Sequence, residues 1–233
     1  MVNNDISLNL HRQKLVSASR GQIPDFLQPD AAETLRQCLL TEIPWALAER
    51  SDGVSHTIAA EDYATMTDQQ RNALMARSYE KAKSEFQFSY DSYMMVKAVK
   101  DGWKFNILHA VLEFLNSPDF LVFARRLSGE PGINAVSAQA TRYRQGQFLT
   151  RHQDEEVKEG RVCAYVINLS KHWDSDWGGL LQFHDNEKRL IETFVPYWNH
   201  LSLFRVPQPH SVSLVSPWAL EPRLAITGWF LAK

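Results

Sequence analysis

The apolar positions in the first 130 residues recur mainly every three or four residues, which is the spacing of amphipathic helices. Stripes of this kind run through residues 31–39, 75–82 and 108–115. Thr67-Asp-Gln-Gln70 has the form of a capping box, and Ser117-Pro118-Asp119 is a strong helix start. This part of the chain is therefore predicted to be mostly helical.

Beyond Pro131 the pattern changes to short runs separated by turn-forming residues, which is typical of strands. Eight strands are predicted, at residues 133–144, 147–152, 161–169, 178–184, 188–195, 200–206, 209–215 and 222–231. Eight strands at this spacing predict a jelly roll, with the helices packed on the outer face of one sheet. We expect an α+β fold with a mainly β core. Residues 1–233 are predicted to be one domain, in which residues 1–130 support a core formed by residues 131–233.

Composition narrows the classes of partner. The 233 residues are 44% hydrophobic with a net charge of −2, so a packed core is expected and no nucleic-acid partner is indicated. No apolar run is long enough to span a membrane, and the first 20 residues resemble neither a signal peptide nor a transit peptide. Cys38 and Cys163 lie among apolar residues, which predicts buried free thiols and a cytoplasmic location. The oligomeric state stays open.

Two His-x-Asp triplets are candidate metal sites, His152-Gln-Asp154 and His172-Trp-Asp174. The first ends a predicted strand, where residues two apart point to the same side, so both side chains can enter one cavity. The second lies in a polar stretch rich in turn formers and is predicted to be a surface loop. His152 and Asp154 are therefore the candidate ligands.

His210 is the candidate third ligand. It follows Val-Pro-Gln-Pro and starts a predicted strand, and the prolines restrict the local backbone. His200 and His184 compete with it but are interpreted as turn residues, and His109 is interpreted as a core histidine. Two histidines and one carboxylate form the facial triad of non-haem Fe(II) oxygenases, although three ligands and an open position also describe catalytic zinc.

Arg223 favours iron over zinc. It begins the last predicted strand, where alternation places it on one face with Ala225, Thr227 and Trp229. A buried arginine requires a partner, and guanidinium binds carboxylate in a bidentate fork. A dicarboxylate that also chelates the metal would satisfy this requirement.

The order and spacing of these motifs resemble the iron- and 2-oxoglutarate-dependent oxygenases. More narrowly, the chain is similar to the prolyl 4-hydroxylase-like branch, which includes the hypoxia-sensing prolyl hydroxylases and bacterial relatives. The resemblance extends over about residues 131–231 and is carried by residues 143–154, 168–174, 178–183, 209–212 and 223–229. It implies a double-stranded β-helix with Fe(II), 2-oxoglutarate and O2 as cofactors and co-substrates, and ascorbate as a candidate addition.

The resemblance also implies roles for individual residues. His152, Asp154 and His210 would bind iron, and Arg223 would bind the co-substrate. Other co-substrate contacts are implied for Tyr143, Thr227, Leu181, Val212 and Trp229. The chain departs from the family at two positions. Ala225 replaces a serine found in many members, and Asn168 stands where hypoxia-type members place a tyrosine against the distal carboxylate.

The branch implies a prolyl residue of a protein as substrate, with a component of the translation apparatus as target. A free amino acid or small metabolite is the alternative within the enzyme class. A cupin-like metal-binding module without turnover and a zinc hydrolase are alternatives of other classes. Residues 84–95 and 154–160 are candidates to contact a protein substrate. Alternation in the first segment places Phe86, Phe88 and Tyr90 on one face and Tyr93 on the other.

Overall fold

The computed structural model describes residues 1–154 and 159–232. Its helices are α1 (Leu8–Ala18), α2 (Pro29–Thr41), α3 (Ala60–Thr65), α4 (Asp68–Ala82), α5 (Met95–Lys100), α6 (Ile107–Leu115) and α7 (Pro118–Ser128). Its strands are β1 (Arg20–Ile23), β2 (Ala46–Ser51), β3 (Val54–Ile58), β4 (Phe88–Tyr93), β5 (Ala135–Val136), β6 (Gln139–Tyr143), β7 (Phe148–His152), β8 (Arg161–Asn168), β9 (Leu181–His184), β10 (Leu190–Phe194), β11 (Leu201–Arg205), β12 (His210–Val212) and β13 (Arg223–Leu231).

The strands form an antiparallel sheet that rolls into a nearly closed barrel in the order β1-β11-β8-β13-β6-β4-β7-β12-β9-β10. Strand β4 joins the two halves of the barrel because it pairs with β6 through one end and with β7 through the other. The outer strands β1 and β10 approach each other through an ion pair between Arg20 and Glu192. The eight core strands from β6 to β13 form the double-stranded β-helix that the sequence predicts.

Alternation along the strands separates a barrel interior from a helix-covered exterior. On β13, Leu224, Ile226 and Phe230 belong to the large apolar core that also contains the buried faces of α2, α6 and α7. The intervening Arg223 and Trp229 face the interior. Because adjacent residues of a strand point to opposite faces, one strand contributes both to the helix-packed core and to the cavity.

The predicted helices form for the local reasons that the sequence indicates. Thr67 and Gln70 make both hydrogen bonds of the capping box before α4. Ser117 caps α7, whose C-terminus is closed by Gly129 in the left-handed conformation that glycine adopts without strain. These contacts satisfy backbone groups that helix ends leave unpaired, so they fix where each helix starts and stops.

The eight predicted core strands and the helices α2, α4, α6 and α7 are confirmed. The first predicted strand is divided into β5 and β6, and β12 is shorter than expected. The chain before residue 130 also contributes β1, β2, β3 and β4, of which β1 and β4 pair directly with core strands. Of the predicted loop at residues 154–160, residues 155–158 lie outside the described residues.

Cys38 and Cys163 are buried and free, as predicted. No single helix among the described residues is long and apolar enough to cross a membrane. Helices α6 and α7 reach the necessary length and composition only as a pair, and they are bent by 59° to each other.

Candidate active site

Three side chains with metal-binding atoms meet inside one end of the barrel. His152 ends β7, and His210 begins β12 directly opposite it in the antiparallel register. The Nε2 atom of His152 lies 3.4 Å from Oδ1 of Asp154, and Nε2 of His210 lies 3.6 Å from Oδ2. One ligand atom from each residue falls within 4.8 Å of the others, the only such group of three or more found in residues 1–154 and 159–232.

Both imidazole rings are oriented by backbone carbonyl groups. Nδ1 of His152 lies 3.0 Å from the carbonyl oxygen of Thr150, and Nδ1 of His210 lies 2.9 Å from that of Gln208. A carbonyl oxygen only accepts hydrogen bonds, so each Nδ1 carries the proton and each Nε2 presents a lone pair. This tautomer is the one that a metal ion requires.

The electrostatics of the triad favour a neutral His210 and an ionised Asp154. Burial lowers the pKa of His210 to about 4, and the charge of His152 acts in the same direction. Burial alone would raise the pKa of Asp154, but its contacts with His152 and His210 and the hydrogen bond donated by the Trp229 indole lower it to about 2. Metal ligands must be deprotonated, so these shifts prepare the group for a cation.

Arg223 is a buried cation in the same cavity. It begins β13 opposite Tyr143, is 3% exposed, and its Nε and Nη1 atoms have no hydrogen-bond partner. Burial lowers its pKa, partly opposed by Tyr143, and its guanidinium carbon lies 5.4 Å from the centre of the Tyr143 ring. Buried donors without acceptors are costly, so this side chain is suited to a carboxylate ligand.

A cavity of about 170 Å³ connects the triad with Arg223. The residues that the resemblance assigned to the co-substrate and that line this cavity are Tyr143, Leu181, Val212, Thr227 and Trp229. Burial raises the pKa of the Tyr143 hydroxyl well above its usual range, so it is a neutral donor. The cavity thus offers a metal site at one end and a cationic site with apolar walls at the other.

Asn168 is buried but is not among the cavity-lining residues. Its amide nitrogen donates to the carbonyl oxygen of His200 over 3.0 Å and to the hydroxyl of Ser202 over 3.2 Å, while its Oδ1 has no partner. In register it lies opposite Ala225, which is 1% exposed. These hydrogen bonds link β8 to β11, and none of them joins Asn168 to Arg223.

Sequence reasoning missed some lining residues. Gln139, Thr141 and Phe204 face the cavity, and Gln139 shares a hydrogen bond with Tyr90. The sequence contained the signal for Gln139 and Thr141, because every second residue of a strand lies on the same face and both share a face of β6 with Tyr143. The position of Phe204 depends on β11, which the local pattern does not relate to the metal site.

The other candidate histidines lie outside the metal-binding group, and His184 ends strand β9 instead of lying in the turn that the sequence predicts. His172 is exposed, and Asp174 beside it caps a 3-10 turn at Ser175–Trp177, so the second triplet is a surface loop. His109 is satisfied by the Tyr93 hydroxyl at 2.9 Å. His200 contacts a backbone carbonyl and His184 contacts Ser211, both outside the triad.

The donor set fits Fe(II). Two imidazole nitrogens and one carboxylate oxygen converge on one point, and these ligand types suit iron without a thiolate. The unpartnered donors of Arg223 in the same cavity fit a dicarboxylate that occupies further coordination positions. The fold and the site together have the features of the non-haem iron oxygenases.

Comparisons with known proteins agree with this class. Residues 138–231 match the 2OG-Fe(II) oxygenase superfamily. Over 128 residues the chain is 32% identical to prolyl 3-hydroxylase OGFOD1 of Mus musculus, which corresponds to 52% of this chain and 23% of the mouse protein. The match therefore spans about a quarter of that relative's length.

Solved structures share the fold over nearly the whole chain. A Pseudomonas putida prolyl-4-hydroxylase matches with a TM-score of 0.59 at 18% identity, covering 97% of this chain and 99% of that one. A 2OG-Fe(II) oxygenase family oxidoreductase from Burkholderia pseudomallei matches with a TM-score of 0.64 at 11% identity, covering 100% and 94%. A Trichoplax adhaerens prolyl hydroxylase, solved with a hypoxia inducible factor peptide, matches with a TM-score of 0.57 at 17% identity, covering 97% and 89%.

Residues 138–231 are thus similar in sequence to a 2OG-Fe(II) oxygenase domain, and that part of the chain contains the metal-binding group and Arg223. It resembles prolyl hydroxylases in sequence and in fold. The family implies Fe(II), 2-oxoglutarate and O2, and the His-Asp-His group described above is present to receive the metal.

Proposed function

We propose that this protein hydroxylates a prolyl residue of a protein substrate in the cytoplasm. His152, Asp154 and His210 bind Fe(II), and Arg223 binds the distal carboxylate of 2-oxoglutarate. The observation that carries the oxygenase activity is the buried, unpartnered guanidinium of Arg223 in the cavity of the triad. A metal sensor or a zinc hydrolase has no need of such a dicarboxylate anchor.

The protein's own residues bind, orient and desolvate the reactants. Arg223 provides two unpartnered donors for a carboxylate, and the neutral Tyr143 hydroxyl adds a third. Leu181 and Val212 form apolar cavity walls that exclude water. Iron and 2-oxoglutarate, when bound, supply the oxidising chemistry that inserts one atom of O2 into a C–H bond. No general acid or base is required among the described lining residues.

A wall of aromatic rings supports a prolyl substrate. Phe86 lies 5.3 Å from His152 between ring centres, and successive contacts of 5.7, 5.5 and 5.1 Å link it to Phe88, Tyr90 and Tyr143. The wall starts at the metal site, and all four rings line the cavity. A pyrrolidine ring is apolar and compact, so it packs against such rings without a charged partner.

The charges in the cavity favour a peptidyl residue over a free amino acid. Among the described lining residues, the carboxylate and the guanidinium are those of Asp154 and Arg223, which iron and 2-oxoglutarate engage. A free amino acid carries an ammonium and a carboxylate that require partners of their own. In a peptide both groups are amides, which a cavity of this composition accommodates at lower cost.

The relatives support the same substrate class. The mouse protein is a prolyl 3-hydroxylase, and the Trichoplax enzyme is a prolyl hydroxylase solved with a peptide. We extend the proposal to a component of the translation apparatus as target and to ascorbate as an aid to turnover. The ring position of hydroxylation is part of the test.

Intact-protein and peptide mass spectrometry on cytoplasmic proteins from cells with and without the enzyme tests the proposal. The expected result is an oxygen-atom mass increment on a proline, accompanied by conversion of 2-oxoglutarate to succinate. The increment should vanish when that proline is replaced by alanine. Turnover on free proline or another metabolite, without a modified protein, would show that the substrate is a small molecule and contradict the proposal. Metal binding with no turnover would identify a binding module.

The aromatic wall provides a matched control for this experiment. Phe86→Ala should raise KM for the peptide by about tenfold, since loss of a packed ring costs on the order of 1.4 kcal/mol or more. Phe105→Ala removes the same side chain where it is 71% exposed and outside the cavity, and it should leave KM unchanged. Equal KM values for both variants would contradict the role of the wall.

A further inference from the structure

The candidate carboxylate ligand has an orienting partner of its own. The two candidate histidines are held by backbone carbonyls, whereas Asp154 is held by a side chain. Nε1 of Trp229 donates to Oδ2 of Asp154 over 2.9 Å. This leaves Oδ1 turned toward His152, whose Nε2 lies 3.4 Å away. The indole therefore acts on the orientation of the carboxylate and not only on the shape of the cavity.

Asp154 has few other constraints. It lies two residues beyond the end of β7, so the strand ladder does not fix its backbone. The terminal torsion of an aspartate is also broad, so its carboxylate plane rotates easily unless something holds it. A donor on a different, rigid strand is the means by which one rotamer is selected.

Trp229 is itself held from three directions. Its backbone exchanges hydrogen bonds with Ser137, at 3.0 Å and 3.2 Å. In register it faces Ala164, whose small side chain leaves room for the indole. The guanidinium carbon of Arg161 lies 3.8 Å from the ring centre, and Glu159 binds the same guanidinium at 2.9 and 2.8 Å. A ring fixed in this way presents its N–H in a constant direction.

We propose that Trp229 is a positioning residue that holds the Asp154 carboxylate in its metal-binding orientation. This inference rests on the proposed function, because it requires a metal at the triad. Partners that orient ligands from outside the coordination sphere typically change metal affinity by 10- to 100-fold. Removal of the indole N–H is therefore expected to weaken metal binding by about 10- to 100-fold.

Trp229→Phe in the full chain tests the proposal because it retains a ring and removes only the donor. The probes are Mn(II) alone in air and Fe(II) alone under nitrogen, measured by equilibrium dialysis. Trp218→Phe is the matched control, since its Nε1 donates to the carbonyl of Asp176 at the surface and the residue is 64% exposed. The control should bind metal as the wild type does.

The outcomes separate this proposal from the proposed function. Wild-type affinity in Trp229→Phe overturns the positioning role. A wild-type protein that binds neither metal contradicts the proposed function instead. In an Asp154→Ala background, adding Trp229→Phe should cause no further loss of affinity, because Trp229 acts through that carboxylate. A further loss would indicate a merely structural role and would overturn the proposal.

If Trp229→Phe does not fold, hydrogen exchange in proteins that retain Trp229 tests the proposal instead. The indole proton of Trp229 should exchange slowly with deuterated water in the wild type, as followed by NMR. Asp154→Ala removes the acceptor, so the exchange should become faster. Equal exchange rates in the two proteins would show that the carboxylate does not hold the indole, which overturns the proposal.

Discussion

Replacing Arg223 by methionine should stabilise the protein and strongly weaken co-substrate binding at the same time. The side chain is 3% exposed and two of its nitrogen atoms lack partners in the folded chain, while burial lowers its pKa. Folding therefore buries a cation for which the protein itself supplies no counter-charge in direct contact. Methionine is shorter and unbranched, and it has no donors and no charge, so it removes this cost.

The magnitude follows from the unpaired donors. A buried donor without an acceptor costs about 1–3 kcal/mol, and Arg223 has two. Loss of the contact with the Tyr143 ring offsets about 0.5–2 kcal/mol of this. The free energy of unfolding of the ligand-free protein should therefore rise by about 1.5–4 kcal/mol, from the two low ends and the two high ends of these ranges. For a chain of this size each kcal/mol raises Tm by about 2–4 °C.

Ligand binding should change in the opposite direction. Charge-assisted hydrogen bonds contribute about 1.5–3 kcal/mol, so the affinity for 2-oxoglutarate should fall by about 10- to 100-fold or more. Arg223→Lys retains the charge but loses the bidentate fork. It should weaken binding without the gain in stability, since it remains a buried cation.

Thermal unfolding with and without 2-oxoglutarate, in the presence of Mn(II) under nitrogen, measures both effects. A ligand at 100 times its Kd stabilises the wild type by about 2.7 kcal/mol, and Arg223→Met should lose about half of this increment or more. Arg126→Met, on the exposed face of α7, makes the same substitution away from the cavity and should change neither quantity. A lower Tm for ligand-free Arg223→Met, or an unchanged shift with 2-oxoglutarate, would refute the reasoning.

Two further predictions concern the triad and the thiols. His210→Ala should strongly reduce the iron stoichiometry because it removes a buried ligand opposite His152. His172→Ala changes the exposed triplet and should leave the iron stoichiometry intact. Metal analysis after dialysis measures both variants, and the reverse result would show that the wrong triplet was chosen. Burial raises the pKa of Cys38 to about 11 and that of Cys163 to about 12, so only a very small fraction of either thiol is the reactive thiolate at pH 8. Neither thiol should react with Ellman's reagent at pH 8 in the native protein, and both should react in denaturant; fast native reaction would contradict their burial.

The sequence by itself determined the features that depend on neighbours along the chain. Alternation is a local property of a strand, so the core strands and the shared face of Arg223, Thr227 and Trp229 were predictable. Helix starts such as Thr67 and Ser117 are equally local, because caps bond to backbone groups within three residues. The same logic selected His152-x-Asp154 over the exposed second triplet.

The local pattern does not show which distant strands lie side by side, and the resemblance supplied this information for the metal ligands. The prolines before His210 favoured it over His184 and His200, and the order and spacing of the family motifs then supported the same residue. The structure supplies the physical reason: β7 and β12 are antiparallel neighbours whose register places His210 directly opposite His152. Register between strands far apart in sequence depends on how the whole sheet rolls up, which a local pattern does not encode.

Only the tertiary structure decided the contacts on which the proposed chemistry depends. The sequence placed Phe86 on one face of the segment 84–95. That ring reaches His152 only because β4, which follows it, joins the two halves of the barrel. The bond from Trp229 to Asp154 likewise joins the last strand to the end of β7 across the cavity. Such pairs are specified by the summed packing of many elements, because each depends on sheet twist, closure and the size of neighbouring side chains rather than on its own sequence.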